Sequence, residues 1–194
     1  MKVHICVIGK SGAGKETVYK IVKGLPVMSH NRRWRVSIHH FSDPLNEALD
    51  VLGLERSRPN QQILSTKLRE VFGEEILGTI IYGRALKDKS EVVFLDGIRR
   101  PQDVVMLRKL INNHLIFVDA KPEIRWERLR KRADRPGDAE KTWEQFQEEQ
   151  KAETESMIEV IAKEADCIMD NSGTLEELES QVKDFLNIEL GLKV

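Results

Sequence analysis

The chain has 194 residues, with 31 basic and 32 acidic side chains and a formal net charge of −1. That length supports one domain with a full hydrophobic core, and a composition of 40% apolar and 32% charged residues excludes collagen-like, low-complexity and wholly disordered chains. The balanced charge argues against a dedicated nucleic-acid binder, and no apolar run approaches the roughly 18 residues of a membrane span. Two distant cysteines, Cys6 and Cys167, each in a short apolar run, read as thiols. A cytoplasmic protein is expected.

In chain order, apolar β-rich runs alternate with helical stretches. A strand over 2–8 leads to a helix over 15–24, and a strand over 33–40 leads to helices over 44–53 and 61–87. A strand over 91–96 precedes a helix over 101–112. Next comes a strand over 114–119, with helices over 122–133 and 141–165. The last strand, 166–170, precedes a helix over 174–187. The first, third and fourth strands are nearly continuous apolar runs, the pattern of a parallel sheet covered on both faces. Pro44, Pro101 and Pro122 sit where first helical turns begin, and Thr174 with Glu177 makes a capping-box pattern. One three-layer α/β/α domain over 1–194 is expected, with a mainly parallel five-stranded sheet.

Directly after the first strand comes Gly9-Lys10-Ser11-Gly12-Ala13-Gly14-Lys15-Glu16-Thr17. Two glycines five apart, then lysine, at a strand-to-helix junction describe a phosphate-binding loop and hence a P-loop NTPase fold. Glycines let backbone N–H groups turn around phosphate oxygens, the following helix presents its positive end, and Lys15 reaches the terminal phosphates. The strict pattern has Ser or Thr right after the lysine. Here Glu16 stands there and Thr17 follows. Glu16 either favours the helix dipole and points away, or approaches a magnesium shell.

Gly-Lys-x-Thr resembles the loop of adenylate kinases and related nucleotide kinases. Phe94-Leu95-Asp96-Gly97-Ile98-Arg99-Arg100-Pro101-Gln102 is similar to their Asp-Gly-Phe-Pro-Arg segment and the glutamine after it. The resemblance implies that Asp96 organises magnesium-bound water, Arg100 holds the acceptor phosphate and Gln102 reads the acceptor base. Val118-Asp119-Ala120-Lys121-Pro122 with Arg125, Arg128 and Arg132 resembles the strand and arginine-rich helix leading into that family's lid. Asp170-Asn171-Ser172-Gly173 resembles the C-terminal segment of dephospho-coenzyme A kinases, which implies that Asn171 and Gly173 lie beside the ATP adenine. The chain departs from both families after the second strand. Phe41-Ser42-Asp43-Pro44 lacks the acceptor-gripping arginine of the first and the Asp-Ala-Asp signature of the second.

The residues themselves extend this reading. Asp96 ends an apolar strand at the carboxyl edge, where a carboxylate orders magnesium or caps the next helix. Arg99 and Arg100, just before a helix, suit bidentate capture of a phosphate. Arg69 is a second clamp or a helix-surface ion pair. Asp43 is a helix N-cap or the group that orients a substrate hydroxyl. Residues 121–137 carry a net charge of +4, and a lid over about 130–142 would bring Arg132 and Arg135 onto the transferred phosphoryl group. Adjacent His39 and His40 face opposite sides of a strand, so metal binding is not expected of them. Trp126 and Trp143 bracket the lid, either packing it or stacking on a base.

The expected activity is transfer of the γ-phosphoryl of ATP to a small phosphorylated metabolite, first a nucleoside monophosphate. Lys15, Asp96, Arg132 and Arg135 are its catalytic groups, and Thr17 and Asp96 hold Mg2+ through water. The alternatives are a kinase of a hydroxyl acceptor such as dephospho-coenzyme A, with Asp43 as base, and a nucleotide-binding switch or ATPase acting through a protein partner. A monomer or a homodimer is expected, without nucleic-acid or membrane partners.

Overall fold

The computed structural model describes residues 2–27, 32–132, 138–151, 153–189 and 191. Strand β1 (Val3–Ile8) is buried along its whole length and runs into helix α1 (Lys15–Gly24). Two short strands, β2 (Pro26–Val27) and β3 (Arg32–Arg33), pair antiparallel as a separate ribbon. The chain then forms β4 (Val36–His40), α2 (Asp43–Val51), α3 (Arg58–Phe72) and α4 (Ile76–Lys87). After β5 (Val92–Asp96) come α5 (Pro101–Leu107), β6 (Asn113–Asp119), α6 (Pro122–Arg132), α7 (Trp143–Gln150) and α8 (Glu153–Ala162). Strand β7 (Cys167–Asp170) and α9 (Leu175–Asp184) follow, and a short π-helical stretch, Phe185–Glu189, continues α9.

The main sheet has five parallel strands in the order β4-β5-β1-β6-β7, the three-layer architecture expected of the sequence. Its inner strands β1 and β5 are buried between two apolar layers. Val18 and Val22 of α1 and Leu178 and Val182 of α9 pack on Ile5, Val7, Ile116 and Met169. On the other face Leu77 and Ile81 of α4, Leu107 of α5 and Ile161 of α8 pack on Cys6, Ile8, Leu95 and Leu115. Both cysteines are free thiols, Cys6 buried and Cys167 half-buried. At the β7 edge the Gln181 amide donates to the Asp170 carbonyl (2.8 Å) and accepts from the Asp170 N–H (2.9 Å).

Four sequence boundaries are corrected. The long helix expected over 61–87 is two helices, parted at Gly73, whose φ of +99° a side chain rarely adopts. The strand expected over 33–40 enters the main sheet only at Val36, because Arg32–Arg33 pairs with the β2 segment instead. The helix expected over 101–112 ends at Leu107, and its continuation turns through Asn112 (φ +51°) into β6. The helix expected over 141–165 is divided into α7 and α8, and α7 opens with a capping box of Thr142 and Gln145.

Candidate functional site

Strand β1 has β5 on one side and β6 on the other, and the chain order reverses there. In open α/β sheets that reversal opens a crevice at the carboxyl ends of the strands. Residues 9–14 occupy it. Gly12 (φ +82°) passes so close to α6 that a Cβ there would lie 2.7 Å from the Arg125 carbonyl, and a Cβ on Gly14 (φ +98°) would strike the Asn171 amide. The loop closes on itself through Ala13 N–H to the Lys10 carbonyl (3.1 Å) and Thr17 N–H to the Gly14 carbonyl (2.9 Å). No side chain caps α1 at Gly14, and a helix start of that kind suits an anion. The Lys15 ammonium donates to the Gly9 carbonyl at 2.9 Å, folded back across the loop. Glu16 is exposed and pairs with Lys20 at 2.8 Å, the arrangement in which it points away from the cradle.

Facing the loop, β4 and β5 end side by side with His40 in register with Asp96. Nδ1 of His40 lies 3.4 Å from one Asp96 oxygen, while the other, Oδ1, is buried with no hydrogen-bond partner among the described residues. Burial opposes ionisation of Asp96, but His40 and the nearby Lys15 charge outweigh it and hold the carboxyl below its ordinary value. The Asp96 carboxylate in turn raises the His40 pKa. Asp43 is the first residue of α2 rather than its N-cap, which is Ser42, and its carboxylate accepts from the His40 N–H at 2.7 Å. His40 thus touches both carboxylates, one by its backbone and one by its ring. Sequence reading missed it, because alternation sends only one of two adjacent histidines into a site and does not say which. His39 instead reaches Asp88 at 2.8 Å.

The arginines divide. Arg99 and Arg100 lie in the loop between β5 and α5, Arg100 at the N-cap, 3.4 Å from Glu74, and Gln102 is exposed in the first turn of α5. Arg69 is withdrawn from the acceptor side. It is neither the expected clamp nor a surface pair but the only buried residue of α3, with Nη2 2.9 and 3.1 Å from the Asp103 oxygens and Nη1 on the Glu74 carbonyl. Burial on both sides of that pair explains the difference: a guanidinium fixed to a fully enclosed carboxylate has no freedom to follow a ligand.

Arg132 ends α6, exposed, and its charge helps hold the Glu16 carboxyl below its usual value, after the larger effect of Lys20. Arg135 and the central part of the expected lid, 133–137, lie outside the described residues. At the lid's base Trp126 and Trp143 meet edge to face at 5.6 Å, Trp143 stacks on Phe146, and Arg130 sits 5.0 Å over Trp126, so both tryptophans pack. Asn171 is buried and supports the loop from outside, its amide donating to the Ala13 carbonyl at 2.7 Å. Arg128 Nη2 donates to the Asn171 side-chain oxygen Oδ1 (3.4 Å), and its Nη1 is buried without a hydrogen-bond partner among the described residues. Sequence reading gave Arg128 only as part of a basic run. Gly173 lies in the turn before Thr174, whose capping box with Glu177 is formed as its spacing predicted.

A family model described as AAA domain matches residues 5–155. The UPF0200 protein of Methanocaldococcus jannaschii is 31% identical over 187 residues, covering 94% of this chain and 88% of the relative. The chain belongs to the AAA domain family and to the UPF0200 family. A second relative, the UPF0200 protein of Hyperthermus butylicus, is 28% identical over 186 residues, covering 96% of this chain and 94% of its own. Among solved structures, TT1252 from Thermus thermophilus superposes with a TM-score of 0.58 at 19% identity, covering 95% of this chain and 96% of that one. Shikimate kinase from Acinetobacter baumannii superposes with a TM-score of 0.55 at 14% identity, covering 100% and 96%. At those identities the likeness is one of fold, and the fold is that of P-loop kinases.

The residues present suit magnesium. Mg2+ keeps most of its waters and needs one or two protein oxygens beside the substrate phosphates, so an all-protein cage is not required. Among the described residues no three His, Cys, Asp or Glu side chains form such a cage. The Asp96 oxygen that is buried without a hydrogen-bond partner among the described residues is the kind of acceptor that a metal-bound water satisfies, and Thr17 carries a hydroxyl in the first turn of α1.

Proposed function

We propose that the protein is an ATP-dependent phosphotransferase that moves the γ-phosphoryl group to a small phosphorylated acceptor, a nucleoside monophosphate first. The observation that carries this reading is the pairing of the glycine-rich loop and Lys15 with a carboxylate, Asp96, at the same sheet edge, one of whose oxygens is buried without a hydrogen-bond partner among the described residues. The loop N–H groups and the start of α1 would bind the phosphates, and Lys15 would leave the Gly9 carbonyl to follow the transferred group. Thr17 and Asp96 would hold Mg2+, which supplies neutralisation of phosphate charge. Arg100, with Arg99 beside it, would hold the acceptor anion, and Arg132 would bring a further positive charge from α6. A phosphate acceptor carries its own nucleophilic oxygen, so no proton acceptor is needed.

The convergence of Asp43 and Asp96 on His40 favours a second reading, transfer to a hydroxyl, with Asp43 orienting the alcohol. Coupled assays with AMP, CMP, dTMP and dephospho-coenzyme A separate the two. Turnover of a nucleoside monophosphate is the expected result. Turnover of dephospho-coenzyme A alone would replace the first reading by the second, and ATP hydrolysis indifferent to every acceptor would sink both.

A further inference from the structure

A cleft of about 670 Å³ opens on the sheet face opposite α1 and α9, behind the phosphate loop rather than within it. Its floor is apolar: Phe117 of β6, Ala162 of α8 and Ile168 of β7. Ile168 is 64% exposed. The cleft shares one residue with the loop, Lys10. The Lys10 side chain is only 16% exposed and turns away from the cradle to pair with Glu159, a surface carboxylate that is 66% exposed. Lys121 is at the mouth as a second cation, and its backbone N–H is fixed by the Ser172 hydroxyl at 3.1 Å.

We infer that this cleft is a second binding site, for an organic anion with an apolar ring or chain, and that its occupant acts on the phosphate loop through Lys10. The apolar body would cover Phe117, Ala162 and Ile168, and the anionic group would take the place of Glu159 on Lys10. Ion pairs with an exposed partner are worth little, so the exchange is easy, whereas Lys10 is too enclosed to be compensated by water alone. Of the other carboxylates in the lining, Asp119 and Asp170, Asp170 is engaged by the Ser172 N–H at 2.9 Å. Lys10 lies between Gly9 and Ser11, and its carbonyl holds the Ala13 N–H that shapes the loop. An occupant that moves Lys10 therefore changes the loop's affinity for phosphate, and a loop ligand changes the cleft's affinity by the same factor.

This coupling, though not the binding itself, rests on the proposed nucleotide site. Amide and methyl NMR shifts of the full chain are measured during titration with phenyl phosphate, phenylacetate, benzyl alcohol and inorganic phosphate. Saturable shifts at Phe117, Ile168 and Lys121 are expected with the two aromatic anions, and only loop shifts with inorganic phosphate. The two aromatic anions also decide whether phosphate or carboxylate is preferred. Lys10→Met is expected to weaken the cleft ligand roughly tenfold. Ile168→Asp, at an exposed position, is expected to abolish binding without unfolding, and Glu159→Gln to tighten it severalfold. Equal binding of benzyl alcohol, absence of cleft shifts, or affinities unchanged in Lys10→Met and Ile168→Asp would overturn the proposal. ADP titrated in parallel reports separately on the phosphate loop, so loss of ADP binding with the cleft intact counts only against the nucleotide reading.

Discussion

Arg69 carries a positive charge in a place where no solvent helps it, and it survives there because Asp103 is equally enclosed. Removing Arg69 leaves behind an enclosed carboxyl whose pKa burial already pushes up to about 6. Arg69→Ala is expected to destabilise the protein by about 3–5 kcal/mol in urea titrations, whereas the double change Arg69→Met with Asp103→Leu should recover most of it. Arg100, less than a turn away from Asp103, is half-exposed and lies 3.4 Å from Glu74. Arg100→Ala should therefore fold normally, raise the acceptor KM and lower kcat, while the KM for ATP stays near that of the wild type. Lys15→Ala is expected to cost at least about a hundredfold in kcat, since its charge is used where phosphate charge moves. Unaltered acceptor kinetics in Arg100→Ala would remove that residue from the site.

Elements were legible in the sequence to the extent that burial imposed a pattern. Strands β1, β5 and β6 carry nearly continuous apolar runs because both faces are covered, and prolines marked the starts of α2, α5 and α6. The phosphate loop was legible because its chemistry dictates glycine, lysine and spacing together. The division between α3 and α4 was not, since apolar residues recur at helical intervals on both sides of Gly73. Its backbone, φ +99° and ψ +155°, lies in a region open essentially to glycine alone. Gly73→Ala is expected to destabilise the fold by about 1–3 kcal/mol, read from the urea midpoint. Nor could the sequence announce His40, Arg128 or the burial of Arg69. Each depends on which helix or strand lies opposite, and that is settled by packing across the sheet.

Over the whole molecule the net charge of −1 is an average, with a +4 segment over 121–137 balanced by acidic helices elsewhere. Acid stability rests on particular carboxylates. Burial raises the pKa of Asp88, but hydrogen bonds from Ser90 and His39 help to overcome it and hold the group well below the usual carboxylate range. A carboxyl depressed in the folded state stabilises it above the unfolded pKa of about 3.9 and ceases to do so as pH falls through the folded value. Urea midpoints should accordingly drop below about pH 4, with a shallower drop in Asp88→Asn. An equal slope in both proteins would locate acid sensitivity elsewhere. The strand order also sets a timetable for the chain as it is made. β1 is synthesised first, yet Val3 pairs with Val92 and His4 with Asn113. At roughly 5–20 residues per second, its apolar face waits about 5–20 s for those partners to leave the ribosome. Until β6 is out, the central strand of the molecule is a segment in need of shelter, and the newborn chain, more than the finished one, is where aggregation would begin.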